Sequence, residues 1–404
     1  MIALLSHGIL KRAILPTCQS FTTSNYISPN RHTFNRFKNR LYSTKEMEVS
    51  SQIEETLEPC VEIMKRLISQ YNNLWEDKGG IQSLAQGIVY WKPPETVYDK
   101  ITSELAKDND LHLYNPINGV PSNIDRLKDK VLKENGLDNV NIMMTAGANQ
   151  AFVNCVLTLL SPNDKCVVFR PYYFNHVMAL QMSRGNRCIS IGPTHEGIPD
   201  ISWLQKQLQS DNTIKMVTIV NPGNPTGVSM TRSQIQDFVR LTQQHNAWLI
   251  VDNTYEHFDH IRANSSTDNI PFWCSNEHNV INIFTFSKGY SLAGFRVGYL
   301  TASNNEMFHQ MQKVQDTIPI CVSRISQLAA MGALDAGYHW VQEKVRTLDV
   351  GREAILDALG CLDEVIGGTG AMYVMGKLPH GNNDDKVSLP TLTSFVAHYF
   401  KGGG

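Results

Sequence analysis

Two cations eight residues apart stand out as reactive candidates. Lys288 and Arg296 lie in FTFSKGYSLAGFRVGYL, residues 284–300, where a half-apolar strand runs into a glycine turn. A lysine enclosed by apolar groups loses the hydration of its ammonium, so its pKa falls and its amine becomes nucleophilic. A guanidinium close by lowers that pKa further and can hold an anion. A surface lysine is the commoner outcome for a bare Ser-Lys-Gly, and Arg296 shifts the balance toward a reagent. NPGNPTG, residues 221–227, puts two Asn-Pro steps and two glycines into one rigid turn. A purely structural loop rarely needs that whole string, and Asn224 offers a directed amide. VDNTYEHF, residues 251–258, ends an apolar strand on Asp252, with Tyr255 three residues on. A buried carboxylate is costly unless paired, while a helix N-cap is an equal alternative for Asp252. TAGANQAF, residues 145–152, is a small-residue turn opening a helix. Free N–H groups and the helix dipole make such a start an anion site, although many ordinary turns look alike.

Together these segments supply a lysine for an imine, a carboxylate, hydroxyl and amide donors, and an anion cradle with an arginine. That is the set a pyridoxal phosphate site requires, since the cofactor is the electron sink and the protein supplies amine, ring-nitrogen partner and phosphate grip. No metal-ligand spacing appears among them, and no metal is expected.

All four segments follow strand-like runs. VNIMMT, KCVVFRP, KMVTIVNPG, WLIVDN and NVINIFTFS read as strands. NQAFVNCVLTLL, WLQKQLQ and TRSQIQDFVRLTQQH read as helices between them. This alternation predicts an α/β domain around a mainly parallel, buried sheet. In such sheets ligands gather at the carboxyl ends of the strands. Residues 49–73 have helical spacing, with Pro59 either kinking the helix or marking its start. From about Met311 onward the chain is more helical, and IGGTGAMYVMGKLP is the last clear strand signal.

A chain of 404 residues suggests about two domains. A net charge of −2 gives no electrostatic case for nucleic acid, and no run reaches the ~18 apolar residues of a membrane helix. The eight cysteines are scattered without a C-x-x-C pair, which fits free thiols better than a disulfide frame or zinc site. Up to Lys45 there are seven Lys or Arg and no Asp or Glu, and the first fifteen residues can form a basic amphipathic helix. That is the composition of a transit peptide covering residues 1–42, with a mitochondrial destination expected ahead of plastid or cytosol.

The order NPGNPTG, D-x-x-Y, SKG…GFRVGY resembles the fold-type I pyridoxal phosphate-dependent aminotransferases of class I/II, over roughly residues 84–379. QGIVYWKPPE, TAGANQAFVN, PYYFN, VDNTYE and QDTIPIC are similar to a plant-type aromatic aminotransferase group, whose members use aromatic amino acids or methionine with a 2-oxo acid. The resemblance implies a three-layer αβα large domain at 111–330. It also implies an arm with part of a smaller α+β domain at 43–110, and the incomplete remainder of that domain at 331–404. It implies that Lys288 carries the cofactor as an internal aldimine and shuttles the proton. Asp252 would hold the ring nitrogen protonated, and Asn224 and Tyr255 would donate to the ring oxygen. Ala148, Asn149, Thr285 and Arg296 would grip the phosphate, with Ser287 as a helper, and Tyr173 would stack on the ring. Gly87 would donate its N–H to the substrate carboxylate. Tyr114 would reach the phosphate of a neighbouring subunit, which implies a homodimer. Tyr90 and Trp91 would shape an apolar substrate pocket or, equally, pack in the core.

One departure is plain. The family's late segment, roughly PG-x-x-FG-x-x-G-x-x-R-x-S, supplies an arginine that clamps the substrate α-carboxylate through paired hydrogen bonds. The sequence has no such segment, and its last arginine is Arg352, in DVGREAIL. Losing a bidentate clamp costs about 2–5 kcal/mol. The chain as written is therefore expected to be weak or inactive, as a truncated enzyme or, alternatively, a non-catalytic cofactor-binding protein. Another pyridoxal phosphate reaction on the same fold, such as C–S lysis, is the enzyme alternative.

Overall fold

Strands of four to seven residues, most of them apolar and buried, line up side by side to make the centre of this chain. The computed structural model describes residues 49–72, 87–105, 107, 110–260, 270–377 and 394–398; the expected leader, residues 1–42, lies outside them. First come α1 (Ser51–Glu54), α2 (Cys60–Asn72), α3 (Glu95–Leu105) and α4 (Pro121–Asn135). The central region follows as β1 (Asn141–Thr145), α5 (Ala148–Leu159), β2 (Lys165–Phe169), α6 (Phe174–Arg184) and β3 (Ile189–Gly192). A two-stranded ribbon, β4 (Thr194–His195) and β5 (Ile198–Pro199), precedes α7 (Ile201–Ser210), β6 (Ile214–Val220), α8 (Arg232–Gln244) and β7 (Trp248–Asp252). Then come β8 (Val280–Thr285), β9 (Gly298–Ala302), α9 (Asn305–Thr317), α10 (Arg324–Arg346) and α11 (Asp349–Leu359). The last strands are β10 (Val365–Gly367), β11 (Tyr373–Lys377) and β12 (Ser394–His398).

Seven strands form one sheet in the order β1-β9-β8-β7-β6-β2-β3. All its pairings are parallel except those of β9, which runs antiparallel to both β1 and β8. The other two sheets are the ribbon and a three-stranded β10-β11-β12. Alternation along each strand sends neighbours to opposite faces. Met143, Ile281 and Ile283 join a core with α5, α6 and α9. Met144, Phe284 and Tyr299 join the core built with α4 and α10. Val167, Val217 and Leu249 pack under α7 and α8. Layers of helix on both faces of a mainly parallel sheet are the α/β architecture expected from the sequence.

Local chemistry sets the ends of the helices. Pro59 opens α2, since its carbonyl accepts from the N–H groups of Glu62 and Ile63, so it starts a helix and does not kink one. Thr231 and Gln234 make a reciprocal capping box on α8, and Asp200 caps α7 through the Trp203 N–H. α10 is broken at Gly337, whose φ is 79°. The sequence reading missed α3, α4, α6, β3, β9, β12 and the β4–β5 ribbon. Among the described residues no helix is long and apolar enough to cross a membrane. The seven described cysteines are free thiols.

The NPGNPTG loop is locked to the small sheet. The Gly227 carbonyl accepts from the N–H groups of Thr369 and Gly370. Gly227 has φ +66°, and a Cβ there would overlap the Tyr373 carbonyl oxygen at the start of β11. We expect Gly227→Ala to lower stability by at least about 2 kcal/mol in urea denaturation, because it combines left-handed strain with a backbone collision.

Candidate active site

The ends of neighbouring strands gather the chemistry. Val220 of β6 pairs with Asp252 of β7, Asp252 pairs with Ile283 of β8, and the Asn221 N–H donates to the Asp252 carbonyl. Thr285, Gly298 and Thr145 form one row across β8, β9 and β1. That row brings the turn before α5 against the end of β8. Gly298 is what permits the approach: a Cβ there would lie 2.6 Å from the Phe284 carbonyl oxygen and 3.2 Å from the Ala148 nitrogen. The result is a cleft of about 510 Å³. Of the residues expected at the site, Gly87, Ala148, Asn149, Tyr173, Asn224, Asp252, Tyr255, Thr285, Ser287, Lys288 and Arg296 line it.

Lys288 is a half-buried lysine whose amine points into the cleft. Its Nζ donates to the Gly87 carbonyl at 2.6 Å and lies 5.8 Å from the centre of the Tyr255 ring. Burial, helped by the Arg296 guanidinium and opposed by Asp252, pulls its pKa down to about 8. Asp252 is almost fully buried. Its Oδ2 is 3.1 Å from His176 Nε2, and its Oδ1 accepts from the Thr254 N–H at 3.0 Å and the Thr254 hydroxyl at 2.6 Å. Burial alone would raise this carboxyl, but the His176 and Thr254 donors outweigh it and hold it below the usual carboxylate range. Tyr255 is also buried, its hydroxyl bonded to that of Tyr373. Burial, with Tyr373 adding to it, holds the Tyr255 phenol protonated well above its ordinary range.

The opposite end of the cleft is built for an anion. Gly147 begins α5 without a side-chain cap, which leaves first-turn N–H groups facing the cleft. Arg296, in left-handed backbone with φ 52°, is held by the carbonyls of Ala293 and Ala146. Gly147 has no side chain because that guanidinium fills the place: a Cβ would stand 2.7 Å from Arg296 Nη2. The Thr285 hydroxyl donates to Ser287 Oγ at 2.9 Å and accepts the Ser287 N–H at 3.2 Å. This donor set fits pyridoxal phosphate, with an amine for its aldehyde, a carboxylate for its ring nitrogen and a cradle for its phosphate.

Other expected residues lie elsewhere. Trp91 is in the core, stacked on Phe258 at 6.2 Å, with its Nε1 donating to the Gly289 carbonyl. Tyr90 is half exposed and bonds the Thr347 hydroxyl. Neither is among the residues that line the cleft: Trp91 packs in the core, and Tyr90 sits at the surface. Tyr114 is 81% exposed and outside the cleft of its own chain. The part of Gly87 engaged here is its carbonyl. Arg352 bonds the Gly368 carbonyl and sits 3.3 Å from Asp349, away from the cleft. The sequence reading missed His176, Tyr373 and the α2 residues Cys60, Val61 and Met64, all near or in this cleft. For His176 a signal existed, because a buried Asp252 requires a partner.

A family model described as aminotransferase class I and II matches residues 82–389. The chain belongs to the class I and II aminotransferases. It is thus a pyridoxal phosphate-dependent transaminase by family. It is 40% identical over 326 residues to the aromatic aminotransferase ISS1 of Arabidopsis thaliana, covering 79% of this chain and 80% of that protein. It is 24% identical over 282 residues to the aspartate aminotransferase of Musicola paradisiaca, covering 69% of each. Its fold is similar to the crystal structure of the aspartate aminotransferase from Thermotoga maritima, with TM-score 0.70, 23% identity and coverage of 82% of this chain and 85% of that one. It is likewise similar to substrate-bound BacF from Bacillus subtilis, with TM-score 0.72, 19% identity and coverage of 83% and 84%.

The state of Lys288 has a consequence for stability. Unfolded, the lysine keeps its proton up to its ordinary 10.5, whereas folded it releases it at about 8. The unfolded chain thus binds more protons across that window, so stability from this group rises with pH. In cofactor-free protein, we expect the stability of wild type minus that of Lys288→Met to rise by about 3 kcal/mol between pH 8 and 10.5, measured by urea denaturation.

Proposed function

We propose that this transaminase takes its amino group from an aromatic amino acid or methionine, passes it to a 2-oxo acid, and works as a homodimer. The observation that carries the reading is the amine of Lys288 in one cleft with Asp252, Tyr255 and Arg296. Pyridoxal phosphate supplies an aldehyde that takes up the amino group and a ring that draws electrons from the substrate α-carbon. Lys288 would hold that group through its amine and, as a free amine, would carry the proton at the substrate α-carbon. Its lowered pKa leaves a working fraction of free amine near neutral pH. Asp252, oriented by His176 and Thr254, keeps the ring nitrogen protonated. Tyr255 and Asn224 would hold the ring oxygen, and Tyr173 would cover the ring. The start of α5, at Ala148 and Asn149, takes the phosphate with Thr285, Ser287 and Arg296. Gly87 serves the substrate carboxylate, and Tyr114 serves the partner subunit's phosphate.

The choice of amino donor is supported by the name of the Arabidopsis relative and by the apolar Val61, Met64, Ile88 and Phe174 along the cleft. Among the described residues Arg296 is the single arginine lining the cleft, and it stands at the phosphate end. A substrate carboxylate without a guanidinium is held weakly, so slow turnover is part of the proposal. A mitochondrial address is proposed from the basic, acid-free composition of residues 1–42.

Two measurements test this. The full chain loaded with pyridoxal phosphate should convert L-phenylalanine or L-methionine faster than L-aspartate in single-turnover absorbance, and slowly in each case. Release of ammonia and a thiol from L-methionine with no 2-oxo acid added as acceptor would instead assign a lyase. Borohydride should fix the cofactor to Lys288 in the wild type and leave Lys288→Ala unlabelled; an equal adduct in the variant would show that another lysine carries it.

A further inference from the structure

Directly behind the cleft lies a second group of charges that the reaction does not use. Lys130 of α4 is 7% exposed, and its ammonium donates to both carboxylate oxygens of Glu256, at 2.7 and 2.6 Å. It also donates to Asn135 Oδ1 at 3.0 Å and lies 5.1 Å from the centre of the Phe284 ring. Asn135 Nδ2 donates in turn to Glu256 Oε2 at 2.8 Å and to the Phe272 carbonyl at 3.1 Å. Glu134 Oε2 is 3.5 Å from the same ammonium and 3.7 Å from His257 Nε2. Those two last atoms are buried without a hydrogen-bond partner among the described residues. Glu134, Glu256 and His257 have the spacing of a metal site. The Lys130 ammonium, however, already occupies both oxygens of Glu256, so a cation is in place.

An ion pair this deep is costly to assemble, and removing one partner strands the other as an uncompensated buried charge. Its location suggests a use. Tyr255 and Glu256 are consecutive in a tight turn closed by Glu256 N–H to the Asn253 carbonyl and Phe258 N–H to the Tyr255 carbonyl. One side chain faces the cleft and the next is fastened to α4. On a second side, a Cβ built at Gly289, the residue after Lys288, would stand 2.8 Å from His257 Nδ1. On a third, Phe284, under the Lys130 ammonium, directly precedes Thr285. The groups that face the cluster from other elements are the phenols of Tyr290, Tyr299 and Tyr338.

We propose that Lys130 and Glu256 are positioning residues: their buried ion pair holds the 253–258 turn and the Lys288–Gly289 backbone together, and so keeps Tyr255 and the Lys288 amine in place and out of water. Burial would lower the Lys130 ammonium, but Glu256 outweighs it and holds the lysine above its ordinary range.

The inference rests on reading Lys288 as the reactive amine, and the test separates the two. In full chain stripped of cofactor, the pH midpoint of Lys288 acetylation is read by peptide mass spectrometry for wild type, Glu256→Gln, Lys130→Met and the double variant Lys130→Met/Glu256→Gln. The double variant removes both charges of the Lys130–Glu256 pair together, and it decides the matter should Lys130→Met not fold. The wild-type midpoint is expected near 8. In the folded variants it should rise by about one pH unit as water reaches the amine, and the pH midpoint of the bound cofactor's absorbance should rise with it. A wild-type midpoint at the ordinary lysine value would overturn the reading of Lys288 itself. A depressed wild-type midpoint left unmoved in folded variants, with only their melting temperatures lowered, would reduce the pair to a structural role and overturn this inference.

Discussion

Much of this structure follows from taking one amine out of water. Desolvation of Lys288 makes it a nucleophile and also makes it unstable as an ammonium, so its surroundings must exclude water without supplying a neutralising carboxylate at contact distance. The fold meets that demand by placing Lys288 just past the end of an interior strand. Gly87 gives it a carbonyl to bond, and the nearest full charges are Arg296 and Asp252, which act in opposite directions. The hydrogen bonds that keep the carboxylate charged come from His176 and Thr254. The two charges remain separate tools where a direct ion pair would have cancelled both.

The parallel sheet makes this possible. Parallel strands aim their carboxyl ends one way, so loops distant in sequence arrive at one edge. Helices on both faces keep the strands dry, and the same helices supply the two ends of the site: the uncapped start of α5 for an anion, and α4 with its buried lysine behind Tyr255. The two faces therefore carry different duties, chemistry in front and reinforcement behind.

Much of the site was legible because its chemistry is local in sequence. NPGNPTG, Asp252 with Tyr255, and Lys288 with Arg296 each sit within a single turn, and strand-like runs before them announced the common edge. The α/β alternation was legible for the same reason, since period and β-branching are local properties. Partners brought in from afar were not. His176 stands beside Asp252 because α6 crosses the sheet edge, and Tyr373 meets Tyr255 from a different sheet. Trp91 illustrates the converse, an aromatic whose neighbourhood in sequence suggested the pocket but whose stacking on Phe258 is decided by tertiary packing. The Lys130–Glu256 pair was equally hidden, since an exposed helix lysine and a buried one look alike in sequence.

The reversed strand β9 has a consequence for how the chain can change. Thr285 is paired with Gly298, the Phe286 N–H bonds the Val297 carbonyl, and the Leu292 N–H returns to the Phe286 carbonyl. The segment carrying both Lys288 and Arg296 is thus zipped shut at its base and cross-braced within. It has no slack. Elsewhere on this edge a loop can lengthen outward at little cost, but an added or lost residue between these two cations would have to unzip a buried hairpin. The interval of eight residues that separates the pair acts as a ruler cut to the distance between the Lys288 amine and the Arg296 guanidinium.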